Sequence, residues 1–469
     1  MSSAAAAGPA RDWNRYPYVI PGCDERWFTL PAAEGDLGMG ANTYFLETRL
    51  RGVKSGRELA FLVIFAAMRV PIGPLPPIQA SFFILSFFDL SNGTYGTMTE
   101  FDLPRPPRIR RQHRLSVSRG LLDVRFQGSE GQARWSSRRD AAGAPVPFSY
   151  ALDLRGRDRE QRPMHLSLDV VSQKPPAPVG GDELHGVKTC CAQLGTFSYF
   201  QTGLTARGRL GWGDFEDDVE GDCGWIDRQY AHEHFGAYTD RLNTRNRHEW
   251  RVLHLDNGWD LSVWSQYDAQ RGDRPIPFSG VTAQAPDGEV RTTTDFQIER
   301  LSFVRDPRCV LPEKPLAPKL AYLTDRFHLR VRSLGLSVTA EPYVSAPAHL
   351  MPVEYWNGPV RLIGEMAGRS VSGFGFHERS KLYWQPHDLV FVLRETLLRL
   401  PPGGAAELSP EALANRVWQC DVLLARRDQA GARRHLLSEV APGLAMLPAP
   451  GREVVGRIFD DLLDVLGSA

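Results

Sequence analysis

From Tyr16 to about Val171 the chain alternates short apolar runs with turn residues, a pattern that predicts antiparallel strands. Thr43–Leu50 and Glu58–Arg69 flank Gly52 and Gly56 and read as a hairpin. Ser81–Leu90 is too apolar for a strand with one wet face. It predicts a strand covered on both sides, with Asn92-Gly93 as the following turn. Pro71–Pro77 predicts a loop, because proline gives the ladder no donor. Period-two alternation returns in Leu115–Val117, Leu122–Phe126, Phe148–Leu154 and His165–Val171.

Lys174–Gly181 is rich in proline and glycine and predicts a linker. A second strand-rich block runs from Thr196 to about Trp384. Its strongest signal is Glu249–Tyr267, where Asp256-Asn257-Gly258 supplies the turn of a hairpin. Asp287-Gly288 marks another hairpin, and Phe327–Val338 supplies one or two more strands. After Trp384 the period changes: Leu389, Leu393, Thr396, Leu397 and Leu400 share a helical face. Ser409-Pro410 then opens a helix to about Arg427, and a last helix covers Glu453–Leu466. The expected fold is mainly β, with two antiparallel units and a C-terminal helical extension. Its parts are a disordered lead (1–13), an N-terminal β domain (14–173), the linker (174–181), a C-terminal β domain (182–386) and a helical tail (387–469).

Composition removes several functions. The 469 residues carry 55 Lys plus Arg against 55 Asp plus Glu, so a polycation that grips nucleic acid is not expected. The six cysteines include no CxxC pair, which excludes a dense disulfide scaffold. Leu59–Met68, the longest apolar run, is about half of what spans a bilayer. The first residues lack the basic start and apolar core of a signal peptide, so a cytoplasmic location is expected. The basic run Arg105–Arg114 is a solvated loop or a peripheral contact with an acidic partner or membrane surface. Neither GxGxxG after a strand nor GxxxxGK[ST] nor GxSxG occurs, so nucleotide cradles and hydrolase elbows are unsupported.

The densest chemistry lies in Val219–Gly236. On a strand Trp225 and Asp227 share a face, which would set a carboxyl beside an indole in a barrel interior. Burial among apolar groups raises a carboxyl pKa and suits it to donate a proton. The alternative is an ordinary salt bridge with Arg228 or another arginine. His232 and His234 offer two metal ligands on one face, but no third ligand at a metal spacing stands out. They fit equally as hydrogen-bonded scaffold or acid–base groups.

Gly221–Tyr230 resembles the Gly…Trp-Met-Asp-x-x-Trp/Phe-Gly segment of the lipocalin-like family of carotenoid 1,2-hydratase and AttH-like proteins. Glu249–Gly258 is similar to that family's Trp-x-x-x-x-Leu-x-Asp-Gly hairpin. Glu354–Gly358 resembles its Tyr-Trp-Glu-Gly, and Gly373–Glu378 its Gly-x-Gly-Tyr/Phe-x-Glu. Tyr199-Phe200 sits where the family has a Tyr-Tyr pair. The likeness spans roughly Trp27 to Trp384. It implies two lipocalin-like β-barrel domains, a pocket for an extended apolar molecule, and chemistry without metal or redox cofactor. The implied activities are hydration of an isoprenoid or polyene double bond, or non-redox cyclisation. The same pocket without chemistry would make a lipid carrier. Under the resemblance Asp227 is the acid, and His234 and Glu378 are relay or water-positioning groups. Trp225, Tyr230, Trp250, Trp264, Tyr355, Trp356 and Tyr199 are pocket walls.

Overall fold

Twelve strands from the first half of the chain, with two short edge segments (Ala177–Pro178 and Val187–Cys190), curl into one antiparallel sheet in the computed structural model. The structure describes residues 12–72, 75–102, 114–180, 187–190, 193–231, 246–268, 274–275, 279–306, 320–347, 349, 355–379, 382–402 and 409–467. The strands are β1 (Ala41–Gly52), β2 (Glu58–Ile72), β3 (Leu75–Asp89), β4 (Thr94–Asp102), β5 (Leu115–Val117) and β6 (Asp123–Gln127). They continue with β7 (Gly131–Arg139), β8 (Pro145–Arg157), β9 (Pro163–Ser172), β10 (Gln193–Thr202), β11 (Leu204–Trp212) and β12 (Phe215–Ala231). Their order is β4-β3-β2-β1-β12-β11-β9-β8-β7-β6-β5, and β10 pairs the C-terminal half of β12.

A second antiparallel sheet follows. It contains β13 (Asn246–Leu255), β14 (Asp260–Asp268), β15 (Gly280–Gln284), β16 (Val290–Thr293), β17 (Phe296–Arg300), β18 (Phe327–Val331), β19 (Leu336–Pro342), β20 (Trp356–Met366) and β21 (Arg369–Arg379). Their order is β16-β15-β14-β13-β21-β20-β19-β18-β17. The first sheet is a curled half-barrel and the second a nearly closed barrel. The expected turns are in place, with Gly56, Gly258 and Gly288 at positive φ.

Two expectations need correction. The Lys174–Gly181 segment does not part the two sheets. Strand β9 pairs with β11 across it, from Met164↔Trp212 to Ser172↔Leu204. Proline and glycine end a strand there, but the open edge of β9 still takes hydrogen bonds from the next strand in reach. The change of sheet falls between β12 and β13. Likewise, Pro71–Pro77 is not all loop: β2 runs to Ile72 and β3 starts at Leu75, with a register shift between Val70 and Ile72. A hairpin end with a ladder irregularity tolerates prolines that a sheet centre does not. By contrast, Ser81–Leu90 is covered on both faces, as expected.

Alternation then separates three cores. Leu46, Phe61, Phe83, Trp135 and Leu152 fill the hollow of the first sheet. Leu253, Val263, Leu329 and Leu362 fill the second. Residues of opposite parity on both sheets, among them Phe45, Ile64, Phe200, Trp225, Trp250, Trp264, Phe374 and Phe376, pack together between the sheets. The tail is helical as predicted: α1 (Pro386–Leu398), α2 (Pro410–Ala425), α3 (Gln429–His435) and α4 (Ala449–Gly467). Ser409 caps α2 by accepting from the Ala412 N–H at 3.2 Å. Among the described residues no helix is long and apolar enough to cross a membrane.

Candidate functional site between the two sheets

Trp225 and Asp227 do share a face of β12, but it is not a barrel interior. It looks outward from the first sheet onto the second. The register puts Asp227 between Phe200 on β10 and Phe45 on β1. One position along, Trp225 lies between Thr202 and Glu47. The Asp227 carboxyl is 1% exposed. It accepts from Ser198 Oγ at 3.1 Å and from the Gln229 amide. Arg228 is not its partner. That guanidinium points the other way, onto Asn42 Oδ1 (2.8 Å), the Gly35 carbonyl (2.8 Å) and the Tyr44 ring (4.0 Å).

The opposing face comes from β13. Because every second residue faces one way, His248, Trp250, Val252 and His254 all turn toward the first sheet. Across the second sheet Asn357, Glu378, Trp250 and Trp264 form one row, and Arg361, Phe374, His254 and Asp260 another. The aromatics meet edge to face: Trp225 and Trp250 are 6.2 Å apart at their centroids, Trp250 and Trp264 6.3 Å, and Phe45 and Trp250 5.2 Å. Phe200 stacks on Trp225 at 4.1 Å.

Polar groups bound this aromatic wall at both ends. At one end Glu378 accepts from Tyr355 Oη (2.9 Å) and pairs with His248 Nε2 (2.9 Å), while Asn357 Nδ2 donates to Tyr355 Oη (3.0 Å). Burial, with the neighbouring Glu378 charge, holds the Tyr355 phenol well above its usual range, so it stays protonated. His248 stacks on Trp264 at 4.9 Å. At the other end His254 lies between Glu47 (Nε2···Oε1, 3.0 Å) and Asp260 (Nδ1···Oδ1, 2.5 Å), and Lys174 Nζ reaches Asp260 Oδ2 at 2.7 Å. Burial opposes charge on His254, but the two carboxylates win and raise it to about 9. Burial pushes Glu47 upward; Asp260 is also desolvated, yet His254 and Lys174 hold it low.

Trp225, Asp227, Trp250, Trp264, Tyr355 and Glu378 are thus brought together. Three predicted wall residues are not. Tyr199 and Tyr230 lie in a separate cluster with Phe28, Phe148 and the N-terminal segment, and Trp356 packs with Leu323 and Leu382. Each is sequence-adjacent to a residue facing the other way, since strand neighbours point to opposite faces. His234 and His232 lie outside the described residues, and among those no group of three His, Cys, Asp or Glu could hold a metal. Sequence reasoning missed Phe45, Glu47, Phe200, His248, His254 and Asp260. Counting by twos from Trp250 would have found both histidines.

A groove of about 1200 Å³ lies elsewhere, along the first sheet, with Asn42, Gln79, Arg114, Arg134 and Asp153 in its lining. Its Arg134 and Arg125 are both tied to Asp123, and none of the predicted site residues lines it.

Comparison with known proteins bears on this architecture. A family model described as AttH-like matches residues 118–378, more than half of the chain. A crystal structure of a putative AttH from Nitrosomonas europaea aligns with a TM-score of 0.55 at 15% identity, over 77% of this chain and 98% of that one. It shows the same fold. Kievitone hydratase from Nectria haematococca aligns at 0.47 and 13% identity, over 72% of this chain and 88% of that one. CghA, solved with Sch210972, aligns at 0.39 and 12% identity over the same shares. No curated protein matches the sequence.

Proposed function

The chain belongs to the AttH-like family, and on that premise we propose that it is an enzyme hydrating a carbon–carbon double bond of an apolar isoprenoid or polyene between the two sheets. The observation that carries this reading is Asp227: a 1% exposed carboxyl set between Phe45 and Phe200, on a face that meets Trp250 and Trp264. A lipid carrier has no use for such an acid.

Asp227 gives its proton to the less substituted alkene carbon, leaving a tertiary cation. The indole and phenyl faces around it stabilise that cation through their negative quadrupoles. Water adds to the cation, and a base removes its second proton to give a tertiary alcohol. Tyr355, Glu378 and His248, joined by hydrogen bonds, form a relay that can return a proton toward Asp227. The reaction as written needs neither a redox cofactor nor a metal. The partner it implies is a hydrophobic small molecule.

Lycopene in detergent micelles, with its terminal trisubstituted double bonds, tests the reading. Asp227→Asn keeps shape but removes the proton, so turnover falls by at least about a hundredfold. Binding, read by quenching of tryptophan fluorescence, persists because buried hydrocarbon supplies about 25 cal/mol per Å². In heavy water the product carries deuterium next to the new alcohol carbon. Cyclised product without solvent label, formed equally by Asp227→Asn, would make the protein a cyclase that works by positioning. Binding without product in the wild type would make it a carrier.

A further inference from the structure

Glu47 is not a spectator of this face. It is fully buried, and its Oε1 receives His254 Nε2 at 3.0 Å, yet its Oε2 has no hydrogen-bond partner among the described residues. Its cross-strand partner is Trp225, also fully buried, whose indole N–H likewise has no hydrogen-bond partner among the described residues. A buried donor and a buried acceptor left unmade each carry a desolvation penalty. Side by side on one face, they are complementary to a group that both accepts and donates. That group is an O–H oxygen.

We propose that Trp225 and Glu47 form an O–H subsite of the inter-sheet face, and that Glu47 is the base that deprotonates the oxygen held there. The assignment of the base rests on the hydration reading; the subsite does not. The register places Glu47 diagonally from Asp227, since Asp227 pairs with Phe45 and Trp225 with Glu47. Diagonal positions lie about 7–8 Å apart. That is the scale at which two carboxylates can serve the two ends of one reacting bond with water between them, about 6.5–9.5 Å in inverting glycosidases. The step balances as follows. Asp227 loses a proton to the alkene, the water oxygen bonds to the cation, and Glu47 takes the second proton of that water. The site resets when a proton passes from Glu47 back to Asp227. Behind Glu47, the chain His254–Asp260–Lys174 fixes its carboxyl in place. Burial makes Glu47 the more basic of the two carboxylates on His254, as the base role requires.

The O–H group could belong to water or to a hydroxyl on the ligand, and two measurements on the full chain separate these sources. In the first, farnesol and farnesyl methyl ether are titrated against tryptophan fluorescence. The wild type is expected to prefer farnesol by about tenfold, the scale of one buried hydrogen bond. Glu47→Gln and Trp225→Phe should both reduce that preference to near unity. Trp225→Phe keeps an aromatic ring and leaves the Glu47–His254–Asp260 chain untouched, so it guards against a folding artefact. Equal affinities in the wild type, or an unchanged preference in both variants, would overturn the subsite. The second measurement follows lycopene hydration in 18O-water. Label in the product together with about a hundredfold slower turnover in Glu47→Gln, at unchanged lycopene affinity, identifies water as the oxygen and Glu47 as its base. Label with an undiminished rate in Glu47→Gln overturns the base assignment while the hydration reading stands. No hydration by the wild type sinks that reading and the base role together, and the farnesol preference still decides the subsite.

Discussion

Two buried glutamate–histidine pairs in this molecule have opposite electrostatics. Between the sheets, Glu47 and His254 are both shifted upward. Inside the second sheet, Glu249 and His377 are both shifted downward. Burial alone would raise each acid and lower each histidine. Around Glu249, however, Arg251 Nη2 and Arg300 Nη2 each stand 3.0 Å away, and together they outweigh desolvation. His377 is lowered first by burial and then by Arg251. Around His254 the companions are two carboxylates, so the imidazole keeps its proton and Glu47 remains the weaker acid of the two. Four buried groups of two residue types thus divide by their neighbours. The arginine-rich set is locked in one charge state, as a structural network requires. The inter-sheet set keeps a carboxyl poised to change state, as proton transfer requires.

The difference is open to direct attack. The largest expected effect is on Glu249. Glu249→Gln leaves two buried guanidinium groups without their anion, and breaking a buried pair in this way costs about 3–5 kcal/mol. Urea unfolding at pH 7 measures it, and a loss below about 1 kcal/mol would show that the arginines are satisfied by other groups.

A smaller effect should appear with pH, in opposite directions for the two histidines. His254 has a folded pKa of about 9, above its ordinary value. Its contribution is therefore full below about pH 6.5 and is lost as pH rises through about 9, on the order of 3 kcal/mol at roughly 1.4 kcal/mol per pKa unit. His377 is held well below its ordinary value. Its contribution is present above about pH 6.5 and is lost as pH falls. Stability measured across pH 5 to 10 should decline at both ends. His254→Gln should flatten only the alkaline limb, and His377→Gln the limb just below pH 6.5. An alkaline limb that survives His254→Gln would refute the assignment.

How far the sequence disclosed all this depends on which physical signal each part leaves. Strands and turns were legible because alternation and Gly258 or Gly288 are local. The N-cap Ser409 and the face of Leu389, Leu393 and Leu397 gave the helices for the same reason. That Trp225 and Asp227 share a face followed from period two. Which way that face looks did not follow, because both faces of β12 are apolar: Ile226 turns to one core and Trp225 to another. The placement of Tyr199, Tyr230 and Trp356 failed for a related reason. Motifs mark neighbourhoods, and alternation sends half of each motif to the far side. Crossing Lys174–Gly181 with β9 and β11 could not be read at all, since pairing between strands separated by a proline-rich segment is a long-range property.

The smallest predicted effect is the sharpest test of the comparison. Glu47→Gln removes a charge from the inter-sheet set, just as Glu249→Gln does from the interior one, and both positions are fully buried. The costs should nevertheless differ. Glutamine still offers His254 an acceptor oxygen, and Asp260, backed by Lys174, still balances the imidazolium. What is lost is one charge-assisted hydrogen bond to a carboxylate already disfavoured by burial, about 1.5–3 kcal/mol at most. The imidazole titration of His254, followed by NMR, should fall below about 9, because one of the two carboxylates that raise it is gone. A loss of stability equal to that of Glu249→Gln, with the His254 titration unmoved, would mean that Glu47 is a locked structural ion like Glu249. The distinction between the two pairs would then collapse, and the role of Glu47 as a proton acceptor with it.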